Sequence, residues 1–280
     1  MPIRKLSMTI NAFDASELLF PLISEIRDQI DHVAAIYQKK SYWGNPMEDE
    51  DMEELLRLQT LGLIDELIEF KGNTSKYSRE QECDKRNMGI ELMKQNGSSH
   101  ILNADADEFY SKEQFKYGID LINKRGYTIT YCSYVNYYKD FEHYLVYPFR
   151  PFVPWVHSTF FRYTYQGPAP GPTDPTRRIN NPSNLGTYIF EDHELRMGHG
   201  AWIRRDIRKK LVNWSAKNHF NEELIDKAVE RWENWKENED GSCPDAIMLF
   251  NVPSNEVRVK KLTKKIHNFE VPWLKKEGDL

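Results

Sequence analysis

Over the first hundred residues the hydrophobic positions alternate between two periods. "KLSMTINAF" (residues 5–13) is a short apolar run with strand character, and "ASELLFPLISEIRDQI" (15–30) carries Leu18, Leu22, Ile26 and Ile30 at i+4 steps. That spacing puts one apolar stripe on a helix, with Ser16 as its predicted N-cap. "HVAAIY" (32–37) predicts a second strand, and after the polar stretch 38–51 "MEELLRLQTLGLI" (52–64) predicts a second helix with an acidic start. "DELIEF" (65–70) reads as a third strand and "SREQECDKRNMGIELMKQNG" (78–97) as a third helix closed by Gly97; "SHILNAD" (99–105) follows as a fourth strand. Strand and helix in strict alternation with short connections predict a mostly parallel α/β sheet covered by helices. Ligands of such sheets bind beyond the carboxyl ends of the strands, so the loops after Ala12, Tyr37, Phe70 and Ala104 are expected to converge.

The pattern changes near residue 127. Residues 131–165 hold fourteen aromatic side chains, and "YTITYCSYVNYY" (127–138) alternates as β-structure does. "QGPAPGPTDPTRRINNPSNLG" (166–186) is a long Pro/Gly/Asn loop, and "TYIFEDHEL" (187–195) is read as a return strand. Two helices are expected after Arg205. One carries Ile207, Leu211 and Trp214; the other begins near Asn221 and carries Leu224, Ala228, Trp232 and Trp235. A basic tail, "VRVKKLTKKIH", follows at 257–267.

Composition narrows the class. The chain has 280 residues, 40% hydrophobic and 29% charged, with a net charge of −5, which argues against general nucleic-acid binding. Cys83, Cys132 and Cys243 stand far apart without metal-ligand spacing, an odd count that suits a reducing compartment. The first residues lack the apolar core of a signal peptide and no run reaches the length of a membrane span, so the expectation is a cytoplasmic protein without a transmembrane segment.

The chemistry concentrates in "ILNADADEFY" (101–110), where an apolar strand runs into Asp105, Asp107 and Glu108. Two carboxylates at i and i+2 on a strand end suit a hard divalent cation, Mg²⁺ or Mn²⁺, that keeps positions open for phosphate. An acidic turn capping the next helix is the plainer alternative, and Glu108 and Glu113 are assigned to such a role. On the preceding helix Cys83, Arg86, Asn87, Ile90 and Met93 share one stripe, which turns Arg86 toward the sheet. An inward arginine needs an anion: a diphosphate, or Asp105 itself.

"TINAFD", "HVAAIY", "DKRNMGI" and "ILNADADEF", in that order, resemble the GT-A fold of family-2-like, nucleotide-sugar-dependent glycosyltransferases, clearly over residues 5–112 and more weakly beyond. The resemblance implies a Rossmann-like sheet in which residues 1–127 form the nucleotide-sugar half and end in the D-x-D site. Residues 128–203 would form the acceptor side of the same domain, and 204–280 a C-terminal helical extension. It implies Mn²⁺ or Mg²⁺ at Asp105 and Asp107, with His199 of "MGHGAW" as a further ligand. Asn11, Gln38, Glu69, Arg86, Asn87 and Asp105 would contact the donor, a UDP- or GDP-sugar. Gln38 stands where this family often has Asp. Glu191 and Asp192 would supply the general base of an inverting hexosyl- or deoxyhexosyl-transferase, Asp192 being preferred, with a glycan, glycoprotein or other hydroxyl as acceptor and no nucleic-acid partner. Arg204, Arg205 and Lys209 are candidates to neutralise the departing diphosphate, Trp155 and Tyr163–Tyr165 to stack on sugar, and loop 166–186 to act as a lid. The competing readings are a nucleotide-sugar-binding protein that has lost the reaction, and a haloacid-dehalogenase-type phosphatase. The latter's D-x-D normally follows the first strand.

Overall fold

The computed structural model describes residues 1–73, 75–179, 181, 186–236 and 258–263. Cys243 and residues 257 and 264–267 of the basic tail lie outside them. The first half is built in the predicted order: β1 (Leu6–Ala12), α1 (Ser16–Ile26), β2 (His32–Tyr37), α2 (Asp49–Thr60), β3 (Glu66–Glu69), α3 (Ser78–Gln95) and β4 (His100–Asp105). Next come β5 (Glu108–Phe109), α4 (Lys112–Arg125), β6 (Ile129–Tyr138), β7 (Asp140–Val146), β8 (Phe152–Ser158) and β9 (Tyr163–Thr164). β10 (Arg178–Ile179), β11 (Thr187–Ile189), β12 (Arg196–Trp202), α5 (Ile207–Asn213), α6 (Glu222–Asn234) and β13 (Arg258–Lys261) complete the described elements.

Strands β3, β2, β1 and β4 lie side by side and parallel, the geometry that right-handed strand–helix crossovers dictate. β8 then pairs antiparallel with both β4 and β6, and β7 and β13 extend the far edge. The result is a mixed α/β sheet, parallel in its first half, with helices packed against it. Its core is continuous from Met8 and Ile10 on β1 through Leu18 and Leu22 on α1 to Phe115 and Trp155.

Several expectations change. Ser16 is not the N-cap of α1: Ala15 holds that place, and the Ser16 hydroxyl donates to Asp51. The return strand at 187–195 stops at Ile189, and the longer strand is β12, whose "RMGHGAW" contains two glycines and so lacks a strand signature. Trp155 is wholly buried, its ring 5.1 Å from Phe115 and 5.3 Å from Phe190, and Tyr163 is buried with its hydroxyl on His157. Both are packing residues and present no face to a sugar. Tyr165 meets Tyr77 edge-on at 5.6 Å. Asn87 spends its amide on the backbone of Tyr163, accepting from its N–H and donating to its carbonyl, and so staples α3 to β9.

His100 and His157 sit side by side at the start of β4 and on β8, and burial pulls each imidazole down to about 4. An unfolded chain binds those protons near pH 6.5, so stability is whole above that pH and drains as pH falls from about 6.5 toward 4. Thermal unfolding across that range should show the loss, and His157→Gln should flatten it.

Candidate active site

At the carboxyl ends of β1, β2 and β4 opens a cavity of about 990 Å³, lined on that side by Asn11, Asp14, Gln38, Tyr42, Asp105 and Asp107. Loops after Ala12, Tyr37 and Ala104 therefore converge as strand order requires. No described residue of the loop after Phe70 lines the cavity; Arg79, Glu82 and Lys85 of α3 do. Glu69, accordingly, stands apart from the site and pairs with Lys39 at 3.3 Å.

β1 and β4 are in register with Asn11 beside Asp105, and the Asn11 amide donates to Asp105 Oδ1 at 3.1 Å. Arg86 is fully buried, turned inward as its helical phase demands, and donates to Glu82, to Asn103 Oδ1 at 2.8 Å and to Asp105 Oδ2 at 3.0 Å. Its guanidinium is thus committed to protein anions rather than aimed into the cavity, and it positions Asp105. Burial alone would raise the Asp105 carboxyl, but Arg86 and Arg177 outweigh that and hold it well below the carboxylate range. The adjacent Lys85 is 2% exposed and lines the cavity; its ammonium donates to the Ala12 carbonyl at 3.2 Å, and burial pushes it down to about 7.

Two residues on, Asp107 is 3% exposed. Its Oδ2 accepts from Arg204 at 2.6 Å and Lys210 at 2.9 Å, and Oδ1 faces His199 Nε2 at 3.5 Å. Lys210, His199 and Arg204 together overcome the burial penalty and depress its carboxyl strongly. His199 arrives there because β12 pairs antiparallel with β5, setting His199 opposite Glu108, while the Gly200 N–H donates to the Asp107 carbonyl at 2.7 Å. A side chain at Gly200 would meet Phe109 at 2.8 Å, so glycine permits this approach. The Asn136 amide nitrogen donates to Tyr147, leaving its oxygen to accept from His199 Nδ1. Nε2 is then the nitrogen presented to Asp107.

Of the basic residues expected near a diphosphate, Arg204 is buried on Asp107, Lys209 is held by Asp51 at 2.8 Å, and Arg205 lies 3.5 Å from Glu17. Lys210, which sequence reasoning missed, is the one that lines the cavity. Glu108 also differs from expectation. It is no helix-start bystander but a buried partner of Arg177, which also donates to the Asn103 carbonyl at 2.7 Å. Glu113 does lie in the first turn of α4. Loop residues 166–179 are thereby anchored through Arg177 to Glu108 and to β4, and Thr173, Asp174 and Pro175 wall the cavity.

Glu191 and Asp192 fall outside the cavity. The chain leaves β11 at Ile189 and turns, so Asp192 takes Ser133 and Arg150 as partners, the latter at 2.6 Å, and Glu191 lies 3.6 Å from Arg150. The far cavity wall is apolar, with Phe149, Trp202, Leu211, Trp214, Phe220 and Leu224. A rim loop crosses between the walls: Trp43 Nε1 donates to the Trp214 carbonyl at 2.8 Å and the Asn45 amide to Asn213 at 2.9 Å.

No family model matches the sequence, and no curated protein matches it. Among solved structures, S. aureus TarS residues 1–349 overlays with a TM-score of 0.43 at 10% identity, covering 82% of this chain and 71% of that one. The same fragment with UDP-GlcNAc gives 0.43 and 10%, covering 82% and 72%. A longer TarS structure gives 0.43 and 11%, covering 85% and 45%. Likeness this distant leaves the functional reading to the chain's own residues. No described helix is long and apolar enough to cross a membrane.

Proposed function

We propose that this chain is a metal-dependent glycosyltransferase of GT-A type that moves a sugar from a nucleoside-diphosphate donor to an acceptor hydroxyl. The observation that carries the reading is the pairing of Asp107 Oδ1 with His199 Nε2, 3.5 Å apart at the floor of a large cavity at the strand ends. With Nδ1 on Asn136, the Nε2 of His199 and a carboxylate oxygen of Asp107 converge on one point. An imidazole nitrogen and a carboxylate oxygen held together in this way are donor types that a divalent cation accepts.

The donor set suits the ion. No cluster of three His, Cys, Asp or Glu side chains stands ready among the described residues, but one carboxylate oxygen, one imidazole and Asp105 two residues away leave positions for phosphate oxygens. An imidazole in the set favours Mn²⁺ over Mg²⁺. Asn136 fixes the ring as partners of ligating histidines do. When bound, the ion neutralises charge on the donor diphosphate.

The protein's own residues supply the rest. Lys210 brings a second positive charge to where negative charge collects on the leaving diphosphate, and Arg86 holds Asp105 ionised and oriented. Asn11 and Gln38, at the ends of β1 and β2, offer amides toward the nucleoside. Each carries a buried amide oxygen without a partner. The aromatic wall provides ring faces for a glycan acceptor.

A thermal-shift screen of UDP, GDP and their sugars, with and without Mn²⁺, tests the reading. The expected result is a rise in melting temperature that requires both metal and one nucleotide. No shift with any of them would refute it.

A further inference from the structure

With Glu191 and Asp192 outside the cavity, the general base must come from elsewhere. The carboxylates on the cavity wall are Asp14, Glu82, Asp105, Asp107, Glu108 and Asp174. Four are committed to cations: Glu82 and Asp105 to Arg86, Asp107 to Arg204 and Lys210, and Glu108 to Arg177. Each of these four already gives an oxygen to a cationic side chain that an incoming hydroxyl would have to displace or share. Asp14 and Asp174 remain. Asp14 sits in the turn after β1, on the donor side beside Asn11, and burial pushes its carboxyl up although Lys210 and Arg204 oppose this.

Asp174 is placed differently. It is exposed in the cavity wall on the opposite strand system, where Phe152 of β8 bridges to Thr173 and donates its N–H to the Pro172 carbonyl at 2.8 Å. One oxygen, Oδ1, accepts from both the N–H and the hydroxyl of Thr176 at 2.7 Å each, capping the short turn Pro175–Arg177. That turn cannot drift, because its last residue, Arg177, is locked to Glu108 and to the Asn103 carbonyl. Oδ2 accepts no hydrogen bond among the described residues. A carboxylate with one oxygen fixed by its own loop and the other free in the cavity is built like a base.

We infer that Asp174 is the catalytic base of the transfer, an assignment that rests on the glycosyltransferase reading. Its Oδ2 takes the proton of the acceptor hydroxyl as the acceptor oxygen's lone pair bonds the anomeric carbon. The bond from that carbon to the phosphate oxygen breaks, and its electron pair leaves on the nucleoside diphosphate. One bond to the anomeric carbon forms as one breaks, the proton ends on Asp174, and no co-reactant is needed. Loop 166–179 then carries chemistry as well as cover, and the ion pair between Arg177 and Glu108 ties the base to the strand that bears Asp105 and Asp107.

The test uses the full chain with Mn²⁺ and UDP-glucose, UDP-N-acetylglucosamine or GDP-mannose, water serving as acceptor, and reads nucleoside diphosphate release. Asp174→Asn keeps the cap to Thr176 and removes the basic oxygen. It should lower kcat about 100-fold or more, leave donor KM and the nucleotide thermal shift unchanged, and abolish the acid limb of the kcat–pH profile. A variant within a few-fold of the parent would overturn the assignment, as would equal losses in donor binding and turnover. Asp14→Asn losing turnover while Asp174→Asn retains it would move the role to Asp14. A parent chain that neither binds UDP or GDP nor releases either from its sugars would instead defeat the transferase reading itself.

Discussion

Replacing Arg177 with methionine is expected to cost the fold about 3–5 kcal/mol, the largest stability effect of any single exchange near the site. Arg177 is 3% and Glu108 1% exposed, and the pair lies beneath the cavity where β5, β4 and the loop before β10 meet. Removing the guanidinium leaves Glu108 buried without its cation and frees the Asn103 carbonyl it also satisfied. Burial already pushes the Glu108 carboxyl up, so in the variant it takes a proton rather than remain ionised. Denaturant titration measures the loss. Glu108→Leu placed on the Arg177→Met background should recover much of it, because an apolar pair avoids the uncompensated charge. If the single variant unfolds at the parent's denaturant midpoint, the anchoring role assigned to this pair is wrong.

Asp107→Asn is expected to have the largest effect on activity, a loss of donor turnover exceeding about 100-fold. Changes in groups that merely support metal ligands already cost about 10–100-fold, and Asp107 is proposed as a ligand itself. The amide retains an acceptor for Arg204 and Lys210 but no negative charge, so both cations lose their counter-ion. The nucleotide thermal shift should cease to depend on Mn²⁺ in this variant, whereas simple misfolding would abolish the shift under every condition. Circular dichroism separates the two. Undiminished turnover in a folded Asp107→Asn protein would remove Asp107 from the site.

Much of the cavity wall at the ends of β1, β2 and β4 was legible because it depends on periodicity. Apolar runs with strand spacing placed those strands, parallel order placed their ends together, and the i+3/i+4 stripe on α3 turned Arg86 inward. Arg86 was ambiguous between a diphosphate and Asp105 for a physical reason: sequence spacing gives the direction of a side chain, not the anion it meets. On the opposite wall legibility falls. β12 was hidden by Gly198 and Gly200, the latter present because Phe109 and the Asp107 carbonyl come so close. Glu108 looks like a helix-start residue in sequence because its partner lies 69 residues away, at a separation no local pattern records. Lys209 and Lys210 are neighbours in sequence and differ only in helical phase, which a seven-residue helix with few apolar markers does not reveal. Glu191 and Asp192 were assigned by family likeness alone, and the turn after Ile189 takes them outward. Asp174 sat in a Pro-rich stretch with no periodicity, where only the D-P-T pattern of a capped turn marked it.

The rim loop after β2 is joined, through Trp43 and Asn45, to the far wall, through Trp214 and Asn213. Those two hydrogen bonds make the mouth of the cavity a closed hoop rather than a pair of independent jaws. Ligand entry that spreads one wall must then carry the other with it or break both bonds together. Whatever enters the cavity thus crosses a single threshold, and its entry is coupled to one mechanical event.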